Sequence, residues 1–268
     1  MKITSCKTNH IVNPLGFGMN HATVSWITED ILSKKQQAAQ IIVARDSAME
    51  EVLYDSGKNT ELSNLGSNLP IELTPYTRYY WTVKVWGDAG DEAVSDVNWF
   101  ETGKREDSWK AIWITTDWED KNLHPYMRKS FQLKGKVKSA RAYITGMGLY
   151  ELEINGARIG QERFTPYCNT YDAWIQHQTY DITEALKLGD NAIGALLANG
   201  WAKGRFGTFG ELNTPYCDSF ALLCELRITM EDDTVVIIST DTDWKCKASP
   251  IIDDSIYDGE IYDATKEI

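Results

Sequence analysis

The sequence predicts an all-β protein made of two consecutive β-sandwiches. Three observations lead to this prediction: apolar and polar residues alternate in short runs, turn residues follow one another closely, and long helical periods are almost absent. The 268 residues are enough for two ordinary domains, and a content of 43% hydrophobic and 25% charged residues is typical of a folded chain.

The N-terminal part of the chain has the pattern of a small β-sandwich. Its clearest predicted strands are Gln40–Ala44, Tyr79–Trp86 and Asn98–Thr102. In the second of these strands, alternation places Trp81, Val83 and Val85 on one face. The polar segment Gly103–Ser108 gives a natural boundary, so we expect one domain at residues 1–105 and a second at residues 106–268.

A hairpin near the middle of the chain specifies its own register. The dipeptide Asn155-Gly156 can adopt the two left-handed conformations that a type I′ turn requires. A loop of these two residues pairs Ile154 with Ala157. It also places Glu153 opposite Arg158, so that unlike charges face each other. The hairpin therefore indicates an antiparallel sheet with one buried face.

The second domain contains several further strand patterns. They are Trp109–Ile114, Ala140–Thr145, Ala192–Ala198, Phe220–Met230 and Thr234–Ser239. In Phe220–Met230 the even-numbered residues from position 222 onward are apolar, whereas Glu225 and Arg227 fall on the other face, as in a half-buried antiparallel strand. One short helical turn is predicted within Asp181–Gly189. This many strands cannot form one flat sheet, so we expect a jelly-roll-type sandwich.

The charge and cysteine content exclude several classes of protein. A formal charge of −12 disfavours nucleic acid and anionic membranes as partners, since these require clustered Lys and Arg. The N-terminus lacks the apolar core of a signal peptide, and no later run approaches the roughly 20 apolar residues of a membrane span, so we expect a cytoplasmic protein. The 5 cysteines are scattered and never form Cys-x-x-Cys, which predicts reduced, mostly buried thiols and no zinc site.

Three segments of the second domain combine aromatic rings with amide, carboxylate or guanidinium groups. They are Phe164–Tyr171, Asn199–Gly207 and Ile256–Asp263. Because aromatic faces stack on the C–H bonds of a pyranose and planar polar groups match hydroxyl pairs, these segments predict a sugar-binding site. The candidate contacts are Asn199, Trp201, Arg205 and Tyr171. The alternative is that these glycine-rich, aromatic corners seal the end of the sandwich.

Metal binding and catalysis have weaker signals. Asn155 and Asn199 are the candidate ligands if the domain holds calcium, because amide oxygens are hard ligands; buried amides that satisfy the backbone are the alternative. Glycoside hydrolysis needs two carboxylates that face one cleft. Glu260 and Asp263 are the nearest pair, but their spacing within one loop favours turn geometry or a domain contact. No nucleophile elbow, phosphate loop or nucleotide-binding fingerprint is present, so no catalytic residue is assigned.

Six segments, in this order, resemble the N-terminal region of bacterial α-L-rhamnosidases, which are inverting glycoside hydrolases that remove terminal rhamnose. They are Asp55–Gly57, Tyr80–Trp86, Trp109–Ile114, Gly148–Gly160, Thr179–Thr183 and Ala198–Arg205. The closing segment Tyr257–Ala264 resembles the end of the same region. The similarity covers the whole chain and implies a fibronectin type III-like β-sandwich followed by a jelly-roll β-sandwich.

The resemblance also implies that the catalytic acid and base belong to a later (α/α)₆ barrel, which this sequence does not include. The chain is then an accessory region that supports a missing C-terminal catalytic domain. In some members of the family a jelly roll at this place holds rhamnose and calcium, but Ala202 stands here where the family pattern has a stacking tyrosine. Two other functions stay open: a free-standing carbohydrate-binding module for rhamnose-type sugars, and a non-enzymatic interaction protein, which exposed apolar residues on Tyr79–Trp86 would favour.

Overall fold

The computed structural model describes residues 1–205 and 216–267. The chain divides into Met1–Ser108, here called the N-terminal unit, and Trp109–Ile268, the C-terminal unit. Both units are built from antiparallel sheets, which confirms the all-β prediction. The described helical segments are the 3₁₀ turns Thr183–Ala185 and Ala264–Lys266. Within the described ranges, no helix has the length and apolar character needed to cross a membrane.

The strands of the N-terminal unit form two sheets. They are β1 (Lys2–Thr8), β2 (Thr23–Glu29), β3 (Gln36–Ala44), β4 (Val52–Asp55), β5 (Ser67–Asn68), β6 (Arg78–Gly87), β7 (Glu92–Val94) and β8 (Asn98–Glu101). One sheet has the order β1-β2-β5, and the other has the order β4-β3-β6-β7. The first part of β6 also pairs with β8, whereas its last part pairs with β7. Strand β6 is therefore the central strand of this unit.

Strand β6 supplies much of the core of the N-terminal unit. Its residues alternate between half-buried and buried along its whole length. Trp81, Val83 and Val85 form the buried face, which confirms the predicted alternation. They pack in one cluster with Trp26 of β2 and Ile41 of β3. The two-residue period thus directs the large side chains of β6 toward the opposite sheet.

The other face of β6 is not an exposed apolar patch. Its one tryptophan, Trp86, is half-buried. The ammonium groups of Lys58 and Lys84 lie 4.6 Å and 5.0 Å from the centre of its ring. Cations at these distances are attracted by the ring face and cover it. The feature that would favour an interaction protein is therefore missing from this strand.

The strands of the C-terminal unit form two larger sheets and one separate hairpin. They are β9 (Pro125–Leu133), β10 (Val137–Met147), β11 (Leu149–Ile154), β12 (Ala157–Arg158), β13 (Gln178–Asp181), β14 (Gly189–Ala198), β15 (Ala221–Met230), β16 (Val235–Ser239), β17 (Lys245–Ala248), β18 (Ile251–Ser255) and β19 (Gly259–Tyr262). The sheet orders are β13-β10-β15-β16 and β12-β11-β14-β9-β17, and β18 pairs with β19. The turn Thr183–Ala185 lies within the predicted helical segment.

Both sheets of the C-terminal unit contribute to one core. Leu222 and Leu226 of β15 belong to the same buried cluster as Leu152 of β11 and Leu197 of β14. Apolar residues from two antiparallel sheets that meet in one cluster form a β-sandwich, as predicted. The cysteines differ from the prediction of mostly buried thiols. All are free, and two of them, Cys168 and Cys246, are exposed.

The central hairpin adopts the predicted register. Both residues of the Asn155-Gly156 turn have positive φ angles, 54° and 80°. Glu153 pairs with Arg158 across the two strands. The ion pair is diagonal, however, because Arg158 Nε lies 3.2 Å from Oε1 of Glu151. Diagonal neighbours on one face of a sheet lie within reach of a side chain as long as arginine.

The segment Trp109–Ile114 is not a strand, which corrects the prediction. It forms one isolated bridge, between Ile114 and Leu222. Farther along β15, strand β16 pairs from Glu225 onward, and the N–H of Thr240 donates to the carbonyl of Cys224. This edge of β15 is therefore already filled, so that a longer ladder with the segment cannot form.

The same segment covers a carboxylate that was expected at the surface. Glu225 is buried, because its carboxylate accepts hydrogen bonds from the N–H groups of Lys110 and Ala111 at 2.6 Å and 3.3 Å. The neighbouring Leu223, on the same face, is also buried. Strand β15 is thus buried on both faces near its start, rather than half-buried along its length.

Candidate functional site

Side chains from the three predicted segments meet in the C-terminal unit. The ring of Phe164 lies edge-on to the ring of Trp201, with 6.3 Å between their centres. Arg205 Nη2 lies 2.7 Å from Oδ2 of Asp258, and the guanidinium carbon lies 5.1 Å from the centre of the Tyr257 ring. We call these five residues the loop cluster. Phe206 and Gly207, which end the second predicted segment, lie outside the described residues.

A tight turn after β14 presents Trp201 and Arg205. Gly200 has a φ of 58°, and a Cβ at this position would lie 2.5 Å from Cγ of Leu149. A Cβ on Gly204 would lie 2.6 Å from the carbonyl oxygen of Gly200. Since neither position has room for a side chain, the two glycines are required for the turn to fold.

Asn199, at the start of this turn, is held inside the protein. Its N–H donates to Asp254 Oδ1 at 2.9 Å, and its side-chain Nδ2 donates to the carbonyl of Asp254 at 3.0 Å. Its Oδ1 accepts from Lys203 Nζ at 3.3 Å. The amide therefore ties the turn to strand β18, which supports the alternative of a buried amide that satisfies neighbouring groups. A sugar contact by Asn199 stays a prediction.

Asp254 connects three parts of the chain. Its Oδ1 accepts from the N–H of Asn199 and is also hydrogen-bonded to Nε2 of His124, which is 1% exposed. Among the described residues, Nδ1 of His124 has no hydrogen-bond partner. Asp254 on β18 thus holds the turn after β14 and the segment before β9 together, so that the base of the loop cluster is fixed.

Lys203 is a buried cation beneath the same turn. It is 4% exposed, and its ammonium group lies 3.2 Å from Oδ1 of Asn122 and 3.3 Å from Oδ1 of Asn199. The ammonium also lies 4.7 Å from the centre of the Phe220 ring. Burial lowers the pKa of Lys203. Two amide oxygens and an aromatic face thus stabilise a positive charge that the sandwich has taken out of water.

The solvent side of the loop cluster carries the aromatic surface. Phe164 is 55% exposed, Tyr257 is also exposed, and Trp201 is half-buried. A cavity of ≈ 360 Å³ lies beside Phe164 and is bordered by Glu151 and Ile256. This volume falls in the range of about 300–1,000 Å³ that is usual for small-molecule sites. The surface therefore offers ring faces, a carboxylate and enough space for a pyranose.

Tyr171 does not belong to this exposed surface. Its side chain is buried, and its hydroxyl donates to the carbonyl of Tyr167 at 2.9 Å. Its ring centre lies 5.2 Å from that of Tyr216. Burial raises the pKa of Tyr171 to about 12. The structure thus gives Tyr171 a role in shaping the loop, and its direct contact with sugar stays a prediction.

The two candidate calcium ligands do not come together. Asn155 and Asn199 lie at opposite ends of the paired strands β11 and β14. Ile154, next to Asn155, pairs with Ile193 at one end. Ala198, next to Asn199, pairs with Leu149 at the other end. At about 3.4 Å per residue, this separates them by about 17 Å. One ion therefore cannot contact both amides. Among the described residues, no group of three or more His, Cys, Asp or Glu side chains is placed to hold a metal.

The amide of Asn155 is used within its own hairpin. Its Nδ2 donates to the carbonyl of Ala185 at 2.8 Å and to Oδ1 of Asn191 at 3.0 Å. Its Oδ1 accepts from the N–H of Ala192 at 2.9 Å. Each of the two amide oxygens thus accepts a hydrogen bond from within the protein, Asn155 Oδ1 from Ala192 and Asn199 Oδ1 from Lys203, and the two lie too far apart to share one ion. The residues present therefore do not fit the calcium site that was considered.

Glu260 and Asp263 do not form an acid–base pair. Asp263 Oδ1 accepts from the N–H of Thr265 at 3.0 Å and from its hydroxyl at 2.6 Å, which closes the turn Ala264–Lys266. These hydrogen bonds lower the pKa of Asp263. Glu260 lies exposed on β19. Asp263 therefore serves turn geometry, as its spacing predicted.

Sequence patterns did not single out His124, Lys203 or Asp254. His124 and Asp254 are 130 residues apart in the chain, and neither belongs to a recognisable motif. Lys203 lies within a predicted segment, but an isolated lysine in a loop is normally exposed. The one available signal was the position of Asp254 next to the predicted segment Ile256–Asp263.

Comparisons with known proteins match both units. Residues 135–268 match the family model of the alpha-L-rhamnosidase N-terminal domain. Residues 3–106 match the Rha78A-like, N-terminal immunoglobulin domain. Immunoglobulin and fibronectin type III domains share the β-sandwich architecture, so the second match agrees with the type of domain predicted for this part of the chain.

Three similar proteins are considerably longer than this chain. An alpha-L-rhamnosidase of Formosa agariphila is 34% identical over 280 residues, which cover 96% of this chain and 30% of that relative. The structure of an alpha-L-rhamnosidase from Dictyoglumus thermophilum matches with 33% identity and a TM-score of 0.85, over 100% of this chain and 32% of that one. The structure of an alpha-L-rhamnosidase from Aspergillus terreus matches with 30% identity and a TM-score of 0.88, over 97% of this chain and 31% of that one.

The chain therefore spans about a third of the length of these relatives. The matched family model covers half of the chain. The matched residues include most strands of the C-terminal unit, which carries the loop cluster. The six ordered segments and the fold thus lead to the same family, and this chain belongs to the alpha-L-rhamnosidase N-terminal domain family as an N-terminal region of such a protein.

Proposed function

We propose that this chain is the accessory N-terminal region of an α-L-rhamnosidase, a glycoside hydrolase that releases terminal α-L-rhamnose. The Formosa agariphila relative is an alpha-L-rhamnosidase, and this chain covers 30% of it. In this proposal the catalytic acid and base belong to a C-terminal catalytic domain outside this chain, which the jelly roll supports. The cytoplasmic location predicted from the sequence remains part of the proposal.

The loop cluster is proposed to bind terminal rhamnose. The observation that supports this most is the exposed ring of Phe164, which borders a cavity of ≈ 360 Å³ and has the ring of Trp201 edge-on to it at 6.3 Å. Their faces can stack on the C–H groups and the methyl group of rhamnose, while Arg205 donates hydrogen bonds to its hydroxyls. The fixed base formed by Asp254, Asn199 and Lys203 keeps these groups in place before the sugar arrives, which lowers the entropic cost of binding.

Replacing Trp201 by alanine is expected to weaken rhamnose binding roughly tenfold, which corresponds to about 1.4 kcal/mol. The reason is that the substitution removes a stacking face and leaves the turn glycines in place. Isothermal titration of the 268-residue chain with L-rhamnose measures the effect. Trp113→Ala is the matched control, because Trp113 is an exposed tryptophan of the same unit and lies outside the loop cluster. Equal affinities of both variants would reject the loop cluster as the site.

A free-standing carbohydrate-binding module is the second candidate, because the same aromatic surface supports it. The two proposals differ in whether a catalytic domain is part of the native protein. Reading the open reading frame beyond codon 268 distinguishes them, since the first proposal requires some hundreds of further residues of paired helices. The interaction protein is not favoured, because Lys58 and Lys84 cover Trp86 on strand β6.

A further inference from the structure

A second concave surface lies on the outer face of the five-stranded sheet. Its volume is ≈ 370 Å³, and its lining includes Tyr126 and Arg128 of β9, Glu153 of β11, Gly194 and Leu196 of β14, and Lys247 of β17. We call it the Gly194 groove. It has one lining residue, Leu196, in common with the cavity beside Phe164. The two surfaces are therefore neighbours with different walls.

The backbone does not require a glycine at position 194. Strand β14 is regular at this point, and Gly194 pairs with Glu153 on one side and with Arg128 on the other, without a register shift. An added Cβ would lie 3.6 Å from the carbonyl oxygen of Met127, which is an ordinary contact distance. A glycine weakens a strand interior, and in such a place it often marks the close approach of a ligand. Here the missing side chain keeps the groove open.

Charged groups of opposite sign lie on the two sides of this glycine. Arg158, the cross-strand partner of Glu153, bonds instead to Glu151 at 3.2 Å and to the carbonyl of Gly160 at 2.8 Å. Glu153 consequently has no ion-pair partner among the residues that the structure describes. On the other side, Arg128 Nη2 donates to Oγ of Ser130 at 2.9 Å and has no carboxylate partner in the described part of the chain.

An aromatic wall completes the groove. Tyr126 is 40% exposed and pairs with Leu196 on one side and with Lys247 on the other. Burial and the neighbouring carboxylates, Glu153 first among them, raise the pKa of Tyr126. The phenol therefore keeps its proton and can donate a hydrogen bond at neutral pH. The groove thus combines a ring face, a free carboxylate, a guanidinium group and two lysines of β17, Lys245 and Lys247.

We propose that the Gly194 groove is a second carbohydrate site that binds one pyranose unit of a neutral glycan. The ring of Tyr126 contacts the C–H face of the sugar, Glu153 accepts from one hydroxyl pair, and Arg128 donates to another. A neutral polyol can form hydrogen bonds with both the carboxylate and the guanidinium group, because each of its hydroxyls both donates and accepts. The volume agrees with the usual size of small-molecule sites, about 300–1,000 Å³. This site does not depend on the rhamnose site proposed for the loop cluster.

The test compares two leucine substitutions on the same face of β14. Gly194→Leu fills the groove, and Ala192→Leu, two residues away, adds the same side chain outside it. The probes are the methyl glycosides of L-rhamnose, D-glucose and D-galactose, followed through the backbone amide at position 194 and the Trp201 indole in ¹H–¹⁵N spectra. We expect at least one probe to shift the position-194 amide saturably in the wild type and in Ala192→Leu, and not in Gly194→Leu.

Two further variants keep the test valid if Gly194→Leu folds poorly. Tyr126→Ala is expected to weaken binding at the groove by about three- to tenfold, because it removes the ring face. Glu153→Gln, which keeps the shape of the side chain and removes its charge, is also expected to weaken it. Trp201→Ala is expected to leave the position-194 shifts unchanged, so failure of the loop-cluster proposal is recognised separately.

Three outcomes would overturn the proposal. The first is no saturable shift of the Gly194 amide with any of the three glycosides. The second is equal binding by folded Gly194→Leu and Ala192→Leu. The third is a groove affinity that Tyr126→Ala leaves unchanged while Trp201→Ala abolishes it, since the shift would then report the loop cluster.

Discussion

Replacing Asp254 by alanine is expected to lower the free energy of unfolding of the C-terminal unit by about 2–6 kcal/mol. The substitution leaves two donors without their acceptor, the Nε2–H of the buried His124 and the N–H of Asn199. Each buried, unsatisfied group costs about 1–3 kcal/mol. Urea denaturation followed by tryptophan fluorescence measures the change.

Asp258→Ala is the matched control for this prediction. Asp258 follows β18 and carries a carboxylate of the same kind, but its ion pair with Arg205 is exposed. An exposed pair contributes only about 0–1 kcal/mol, so a small loss is expected. Asp254→Asn should lie between the two, because it retains one acceptor oxygen. If Asp254→Ala were as mild as Asp258→Ala, Asp254 would not hold the loops together.

Replacing Asn155 by alanine is expected to cost about 2–4 kcal/mol of stability. Two causes add here. The side chain loses its hydrogen bonds to Ala185, Asn191 and Ala192, and alanine is strained at the φ of 54° that the turn requires. Thermal unfolding monitored by circular dichroism measures the loss.

Asn155→Gly separates the two causes, because glycine accepts the positive φ but supplies no amide. It should lose less stability than Asn155→Ala. For each of the three proteins, the melting temperature in EDTA should equal its melting temperature in excess calcium, since the Asn155 amide makes its hydrogen bonds within the protein. A calcium-dependent rise that Asn155→Ala abolishes would contradict this assignment and restore the metal site.

The elements that could be predicted are those encoded by local patterns. The two-residue period of β6 placed Trp81, Val83 and Val85 on the buried face, and the turn Asn155-Gly156 fixed the hairpin register. Both depend on residues that are adjacent along the chain. For such elements, the backbone preferences of a few residues favour the same structure as the burial of one face, and the protein adopts that structure.

The errors arise where a distant strand decides the outcome. Trp109–Ile114 has strand propensity, but strand β16 and Thr240 already fill most of the edge of β15 that it approaches. The pairing of Arg158 with Glu151 rather than Glu153 depends on side-chain direction, which register alone does not determine. Which segment pairs with a strand edge, and which carboxylate pairs with an arginine, is decided only in the assembled sheet, so the sequence pattern of one segment does not predict it.

The candidate site shows the same division. The three aromatic segments could be recognised individually, and the fold brings Trp201 to Phe164 and Arg205 to Asp258. The buried polar groups beneath them could not be recognised, because His124 and Asp254 meet across 130 residues. Gly194 was also hidden, since a single strand glycine has no meaning until its neighbours on β9 and β11 are known.

We propose that this chain binds sugar without cleaving the glycosidic bond. Incubating the 268-residue chain with p-nitrophenyl α-L-rhamnoside tests it most directly, with L-rhamnose binding measured on the same preparation. We predict saturable binding and no release of nitrophenol above the blank. Release that stays with the chain through repurification would contradict the claim, because the described carboxylates would then have to include a working acid and base.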